Sequence, residues 1–179
     1  GVETCSNTRS RELIGVSCEG IAFPYYNLTG ETIGHRIKLN TPLPDGGKYL
    51  QKEGTQLNLY FVPKSLPYLN DSRKTLYITE GEKKALALSQ ALPKDTAVCS
   101  IPGCWNWSTD HKVAPIFEEL PLNREIVLIP DGDYFSNKNV KEGYNSLVKA
   151  LLLKGGKVSL IDVRDGEEKS GVDDYLLSK

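Results

Sequence analysis

Residues 74–179 predict an α/β fold, a parallel sheet flanked by helices, preceded over residues 1–66 by a small, mostly β (α+β) subdomain. Three observations predict it. After residue 74, short β-branched and apolar runs alternate with helical stretches, the order that builds parallel strands with right-handed crossovers. Before residue 66 the chain is rich in Tyr, Thr, Gly and Pro and reads as short strands with turns. Two of the later apolar runs end in an acidic pair spaced by one glycine, Glu80-Gly81-Glu82 and Asp131-Gly132-Asp133.

In the first part, GIAFPYY (20–26), a turn at Leu28-Thr29-Gly30 and TIGHRIKL (32–39) form a hairpin pattern, with Gly30 free to take positive φ. PLPDGG (42–47) is a loop by composition, and KYLQ (48–51) and LNLYFV (57–62) are further strands. PKSLPYLNDSRK (63–74) is the connector. Then follow strand TLYIT (75–79), helix EGEKKALALSQAL (80–92), strand AVCSI (97–101) and a helix within VAPIFEEL (113–120). EIVLIP (125–130) is the clearest strand, and NVKEGYNSLVKALLLKG (139–155) an amphipathic helix closed by Gly155 and Gly156. KVSLIDV (157–163) is a strand, and VDDYLLS (172–178) starts a last helix.

Composition bounds the function. Of the 179 residues 39% are hydrophobic and 25% charged, which excludes a disordered chain. No apolar run approaches a membrane span. Lys and Arg number 22 against 23 Asp and Glu, so a uniformly basic nucleic-acid coat is excluded while a local basic groove is not. Cys5, Cys18, Cys99 and Cys104 form no CxxC pair, and they are expected as free thiols of a cytoplasmic protein. The chain opens on a polar stretch and contains no Met, so a fragment of a longer protein is expected.

In a parallel sheet, ligands bind beyond the carboxyl ends of the strands. Glu80-Gly81-Glu82, Asp131-Gly132-Asp133 and the later Gly171-Val172-Asp173-Asp174 all fall there. Asp131 and Asp133, at i and i+2 leaving a strand, can point to one face. Carboxylates so close repel unless a proton or cation sits between them. Oxygen ligands without His or Cys favour Mg²⁺ or Mn²⁺, whose natural chemistry is phosphoryl or nucleotidyl transfer. Taken singly, each motif reads equally as a solvated turn or an acidic helix start.

With these residues in place the sequence resembles the TOPRIM domain, the catalytic fold of bacterial-type primases, topoisomerases and related nucleases. The match is LYITEGEKKALAL with Glu80, and IVLIPDGDYF with Asp131 and Asp133. It is closer still to TOPRIM domains of primases from phage, plasmid and mobile-element replication proteins, through Gly103-Cys104-Trp105-Asn106-Trp107 and Gly171-Val172-Asp173-Asp174-Tyr175-Leu176. The stretch FPYYNLTGETIGHRIKLNTP with KYL and LNLYFVP looks like the small subdomain that precedes TOPRIM in such primases.

The resemblance implies Glu80 as metal ligand or general acid/base, with Asp131 and Asp133 as the metal-binding pair. Glu82, Asp173 and Asp174 are candidates for support behind the metal or for helix capping. Lys83 and Lys84 either contact phosphate or are exposed lysines. Arg36, Lys38 and Lys48 sit where such primases place template- or nucleotide-binding basic residues; a charged edge strand gives the same pattern. Tyr49 stacks a base or packs, and so do Trp105 and Trp107.

The implied function is Mg²⁺- or Mn²⁺-dependent synthesis of short RNA primers from nucleoside triphosphates on single-stranded DNA. The alternatives are a TOPRIM-type nuclease and a non-catalytic nucleic-acid-binding module of a mobile-element replication protein. The sequence has no GxxxxGK[ST] loop and no zinc ribbon. A helicase domain or protein is therefore expected as a partner outside this chain.

Overall fold

The computed structural model describes residues 1–56, 58–109, 112–113, 115–163 and 170–179, with only the backbone for those between 109 and 116. The chain divides into two compact units, Gly1–Leu57 and Asn58–Lys179.

In the first unit, β1 (Glu3–Cys5), β2 (Gly20–Tyr26), β3 (Thr32–Leu39) and β4 (Tyr49–Gln51) form one antiparallel sheet in chain order, with α1 (Asn7–Ile14) between the first two strands. The expected hairpin is β2–β3, and Gly30 takes φ +87° in its turn. The α1 helix was not expected. Only its Ser10 and Ile14 are buried, too few to write an apolar stripe into the sequence. Its ends carry the signal instead, with Ser6 Oγ accepting from the Arg9 N–H and Gly15 at φ +81°. Cys5, Ile14, Ala22 and Ile37 form one core cluster of this unit, and Phe23, Tyr25 and Leu39 are buried as well.

Gly20 presses on the neighbouring strand: a Cβ there would lie 2.1 Å from the Lys38 carbonyl oxygen. Backbone of a paired strand cannot yield as a side chain can. Gly20→Ala is therefore expected to destabilise this unit by about 1–3 kcal/mol, read from chemical denaturation.

In the second unit the elements are β5 (Tyr60–Phe61), a 3-10 turn (Pro63–Ser65), α2 (Leu66–Leu69), β6 (Leu76–Glu80), α3 (Glu82–Ala91) and β7 (Ala97–Ile101). They continue with β8 (Ser108–Thr109), β9 (Lys112–Val113), α4 (Pro115–Glu118), β10 (Glu125–Ile129), a 3-10 turn (Gly132–Tyr134), α5 (Lys138–Leu153), β11 (Lys157–Leu160) and α6 (Val172–Leu177). The main sheet has the order β11-β10-β6-β7-β5, parallel except for β5, while β8 and β9 pair with each other. The α/β expectation therefore holds.

Differences from the sequence reading have local causes. The run 57–62, expected among the strands of the first part, pairs at Tyr60 and Phe61 with β7. Leu59 to Val62 are all buried. Such a continuous apolar run suits a sheet covered on both faces better than a half-solvated hairpin. The expected connector carries a 3-10 turn and α2. β11 ends at Leu160, three residues earlier than expected, on an exposed sheet edge.

The topology fixes where a ligand can enter. From β6 the chain steps to β7 on one side and later returns with β10 on the other. Strand order thus reverses between β6 and β10, which opens a crevice at their carboxyl ends. Thr79 pairs with Ile129, and its buried hydroxyl donates to the Ile129 carbonyl at 3.1 Å. That register puts Glu80 and Asp131 at the rim of the crevice.

Candidate active site at the sheet switch point

Glu80 is the last residue of β6, and Gly81 then turns the chain into α3 at φ +81°, a conformation that glycine adopts without strain. The Gly81 N–H donates to Ile101 O at 3.0 Å, tying the turn to the end of β7. Asp131 follows β10 in extended conformation, but Asp133 lies in the 3-10 turn rather than on a continuing strand. The Gly132 N–H donates to Ser170 O at 2.9 Å, which bends the segment. The pleat therefore does not align Asp131 with Asp133 as the sequence spacing suggested. Asp133 nevertheless lies near enough for its charge to act on Glu80 and Asp131.

The electrostatics show a cluster short of positive charge. Burial, then the neighbouring Asp131 and Asp133, push the Glu80 carboxyl up to about 7 against a favourable pull from Lys84. Burial likewise raises Asp131, although Lys84 bonds to its Oδ2 at 2.5 Å. Burial would lower Lys84, but Asp131, Glu80 and Asp173 outweigh it and raise its pKa. One ammonium thus serves three carboxylates. Asp131 Oδ1 and Asp173 Oδ1 are buried with no hydrogen-bond partner among the described residues.

Lys84 reaches Asp131 because Gly171 makes room for its stem. A Cβ on Gly171 would stand 2.4 Å from Lys84 Cε. The sequence left Lys84 open between phosphate contact and exposure; it is in fact half-buried and ion-paired, while Lys83 is exposed. Asp174 Oδ2 accepts from the Gly171 N–H at 3.0 Å and so caps α6, whereas Asp173 faces the Lys84 charge. Glu82 is buried in the first turn of α3.

Tyr144 and Cys104 belong to this neighbourhood and were not singled out by sequence. The Tyr144 hydroxyl donates to Glu80 Oε2 at 3.4 Å, and its ring meets Tyr134 edge-on at 5.7 Å. The available signal was its place on the buried stripe Val140, Tyr144, Leu147 and Leu151 of α5, since a buried tyrosine hydroxyl needs a partner. Burial, then Glu80 and Asp133, raise the Cys104 thiol to about 11, so it is a protonated neighbour and not a ready ligand. All four cysteines are free thiols. Trp105 is exposed and Trp107 buried.

In the first unit, β3 carries Arg36 and Lys38 on the face opposite the buried Ile37. Lys38 pairs with Tyr49 across the strands, and the Arg36 guanidinium lies 4.3 Å from the Tyr49 ring centroid. One face of that ring is therefore already covered. The exposed Lys48 lies opposite Leu39 through the Leu39 N–H bond to its carbonyl, so the pleat assigns it to the other face. His35 takes no part here, and His111 lies outside the described residues.

Among the described residues no three acidic, His or Cys side chains are close enough to hold a metal ion as they stand. The donor set still fits a hard cation. It is all oxygen, has an orphaned buried Asp131 Oδ1, and holds a Glu80 that resists ionisation for want of positive charge. Mg²⁺ needs only one or two carboxylates when water and phosphate complete its shell.

A family model described as "Domain of unknown function (DUF3854)" matches residues 67–179. The chain belongs to the DUF3854 family. No curated protein matches the sequence. By structure, the chain is similar to the Aquifex aeolicus primase (zinc-binding and RNA polymerase domains), with TM-score 0.65 and 16% identity over 89% of this chain and 37% of that one. It is similar to the DnaG primase catalytic domain bound to ssDNA, with TM-score 0.62 and 18% identity over 89% and 48% of the two chains. It also resembles the primase fragment of the bacteriophage T7 primase-helicase protein, with TM-score 0.61 and 15% identity over 90% and 58%. This DUF3854 chain therefore has the fold of a DnaG-type, TOPRIM-containing primase core. It spans between 37% and 58% of the length of these three structures. Among the described residues no helix is long and apolar enough to cross a membrane.

Proposed function

We propose that this DUF3854 chain carries a divalent-metal-dependent nucleotidyl-transfer site that makes short primers on single-stranded DNA. One observation supports it above the others: at the switch point, Glu80, Asp131 and Asp133 share too little positive charge, and burial with mutual repulsion holds Glu80 near 7. Glu80 and Asp131 would hold Mg²⁺ or Mn²⁺, with Asp133 and Asp173 behind them. The ion would supply Lewis-acid activation of a phosphoryl group and charge neutralisation. Glu80 would be ionised once the cation is bound, with the Tyr144 hydroxyl orienting its Oε2. Lys84 is placed to turn from Asp131 to a phosphate oxygen. Arg36 and Lys38 would bind the template backbone. The test is primer synthesis on single-stranded DNA with labelled nucleoside triphosphates and Mg²⁺ or Mn²⁺; short products support the reading, and their absence contradicts it.

A second reading is favoured by the Lys84–Asp131 ion pair itself. A lysine that permanently neutralises Asp131 would leave a non-catalytic nucleotide- or nucleic-acid-binding module. Lys84→Met separates the two. If the site is built for a cation, removing the competing ammonium should tighten Mn²⁺ binding about tenfold, measured by calorimetry, while primer synthesis falls. Under the second reading the wild type binds no ion, and only Lys84→Met, with its carboxylates uncompensated, does.

A further inference from the structure

The helix that brings Tyr144 to Glu80 continues past the acidic cluster, and its far half forms one wall of a separate groove. Trp105, Trp107 and Ser108 line one side; Ser146, Lys149 and Leu153 of α5 line the other, around a volume of about 560 Å³. Gly143 holds the two walls together, because a Cβ there would stand 2.8 Å from Cys104 O and 3.2 Å from Trp105 Cε2. Trp105 is 42% exposed and Leu153 88%, an apolar surface with nothing over it among the described residues. On the floor, Trp107 is only 5% exposed, and its Nε1–H has no acceptor among the described residues.

We propose that this groove binds single-stranded nucleic acid without metal, one base stacked on Trp105 and the adjoining phosphate on Lys149. Each wall matches one part of a nucleotide. The exposed indole offers a face to any base, and such stacking tolerates sequence. Ser108 and Ser146 offer hydroxyls that can donate to or accept from a nucleotide. Charge selects a strand over a free nucleoside triphosphate. Lys149 is the single charged group of the described lining, which matches one charge per nucleotide and falls well short of a triphosphate. The groove also begins where the acidic cluster ends: the Cys104 thiol feels Glu80 and Asp133, and Trp105 is the next residue. The inference shares with the proposed function only that the chain handles nucleic acid, and it needs neither metal nor turnover.

The chain has two tryptophans, and both line this groove, so its intrinsic tryptophan fluorescence reports on this place alone. The experiment titrates the full chain with oligothymidylate in excess chelator, and follows labelled oligonucleotide by anisotropy in parallel. Expected are quenching by the oligonucleotide, no comparable quenching by ATP, and at least about fivefold weaker binding for Trp105→Ala, with Trp105→Phe restoring it. Lys149→Gln should flatten the salt dependence of log K by about 0.7, the loss of one phosphate contact on a single strand. Unchanged affinity in Trp105→Ala would overturn the proposal. So would quenching by ATP alone, or a fluorescence change with protein concentration and no oligonucleotide, which would show a second copy over the groove. Loss of primer synthesis in Asp131→Asn with this binding intact would leave the groove standing; binding lost in Trp105→Ala with Mn²⁺ binding intact would leave the acidic site standing.

Discussion

Asp131→Asn with Asp133→Asn is expected to reduce nucleotide incorporation about a thousandfold, while the variant stays folded and still binds oligothymidylate in chelator. The size follows from what the cluster would supply. A bound divalent ion contributes several kcal/mol of charge stabilisation during phosphoryl transfer, and each 1.36 kcal/mol is about tenfold in rate. The retained fold follows from position. Asp131 and Asp133 lie beyond β10, and the strand ladder to β6 is complete at Ile129. Primer assays, circular dichroism and anisotropy on one preparation check all three statements.

The second large effect is on stability. Glu80 holds its proton up to about 7 in the folded chain against an ordinary value of 4.5. Between those values the folded state binds more protons than the unfolded one, so stability falls as pH rises. The stabilisation is complete below about 4.5 and gone above about 7, a change of about 3 kcal/mol in the metal-free chain. Asp131, raised as well, adds to the same slope. Burial lowers His35, which gives a slope of opposite sign near its ordinary 6.5. The measurement is therefore the difference between wild type and Glu80→Gln, by denaturation in chelator at several pH values. Glu80→Gln should be the more stable protein at pH 8, and the difference should vanish toward pH 4. A wild type as stable as Glu80→Gln at pH 8 would contradict the charge-starved cluster. Asp71, held down to about 2 by the Arg73 guanidinium, titrates outside this window.

Much of the second unit was legible because its signals are local. Continuous apolar runs such as TLYIT and EIVLIP mark strands of the sheet, and the acidic residues stand directly after them. Gly81 takes positive φ where β6 turns into α3, a conformation a glycine adopts without strain. What escaped the sequence is pairwise. That Lys84, and not Lys83, reaches Asp131 depends on the start of α3 at Glu82 and on the space left by Gly171, far along the chain from Lys84.

 No local pattern encodes that distance. The α1 helix was missed because it buries only two residues. Tyr144 was missed because a tyrosine on a buried stripe reads as packing until the Glu80 carboxylate is seen beside its hydroxyl. Lys48 was grouped with Arg36 and Lys38 through the family resemblance, and only the register with Leu39 separates it from them.

The central claim is that the carboxylates at the β6–β10 switch point are a cation site. A calorimetric titration of the full chain with Mn²⁺, beside Asp131→Asn, tests it most directly. Saturable binding at one site is expected in the wild type and lost in the variant, with a proton released to the buffer near pH 6.5 as the cation displaces it from Glu80. No saturable binding in the wild type, or equal binding in Asp131→Asn, would contradict it.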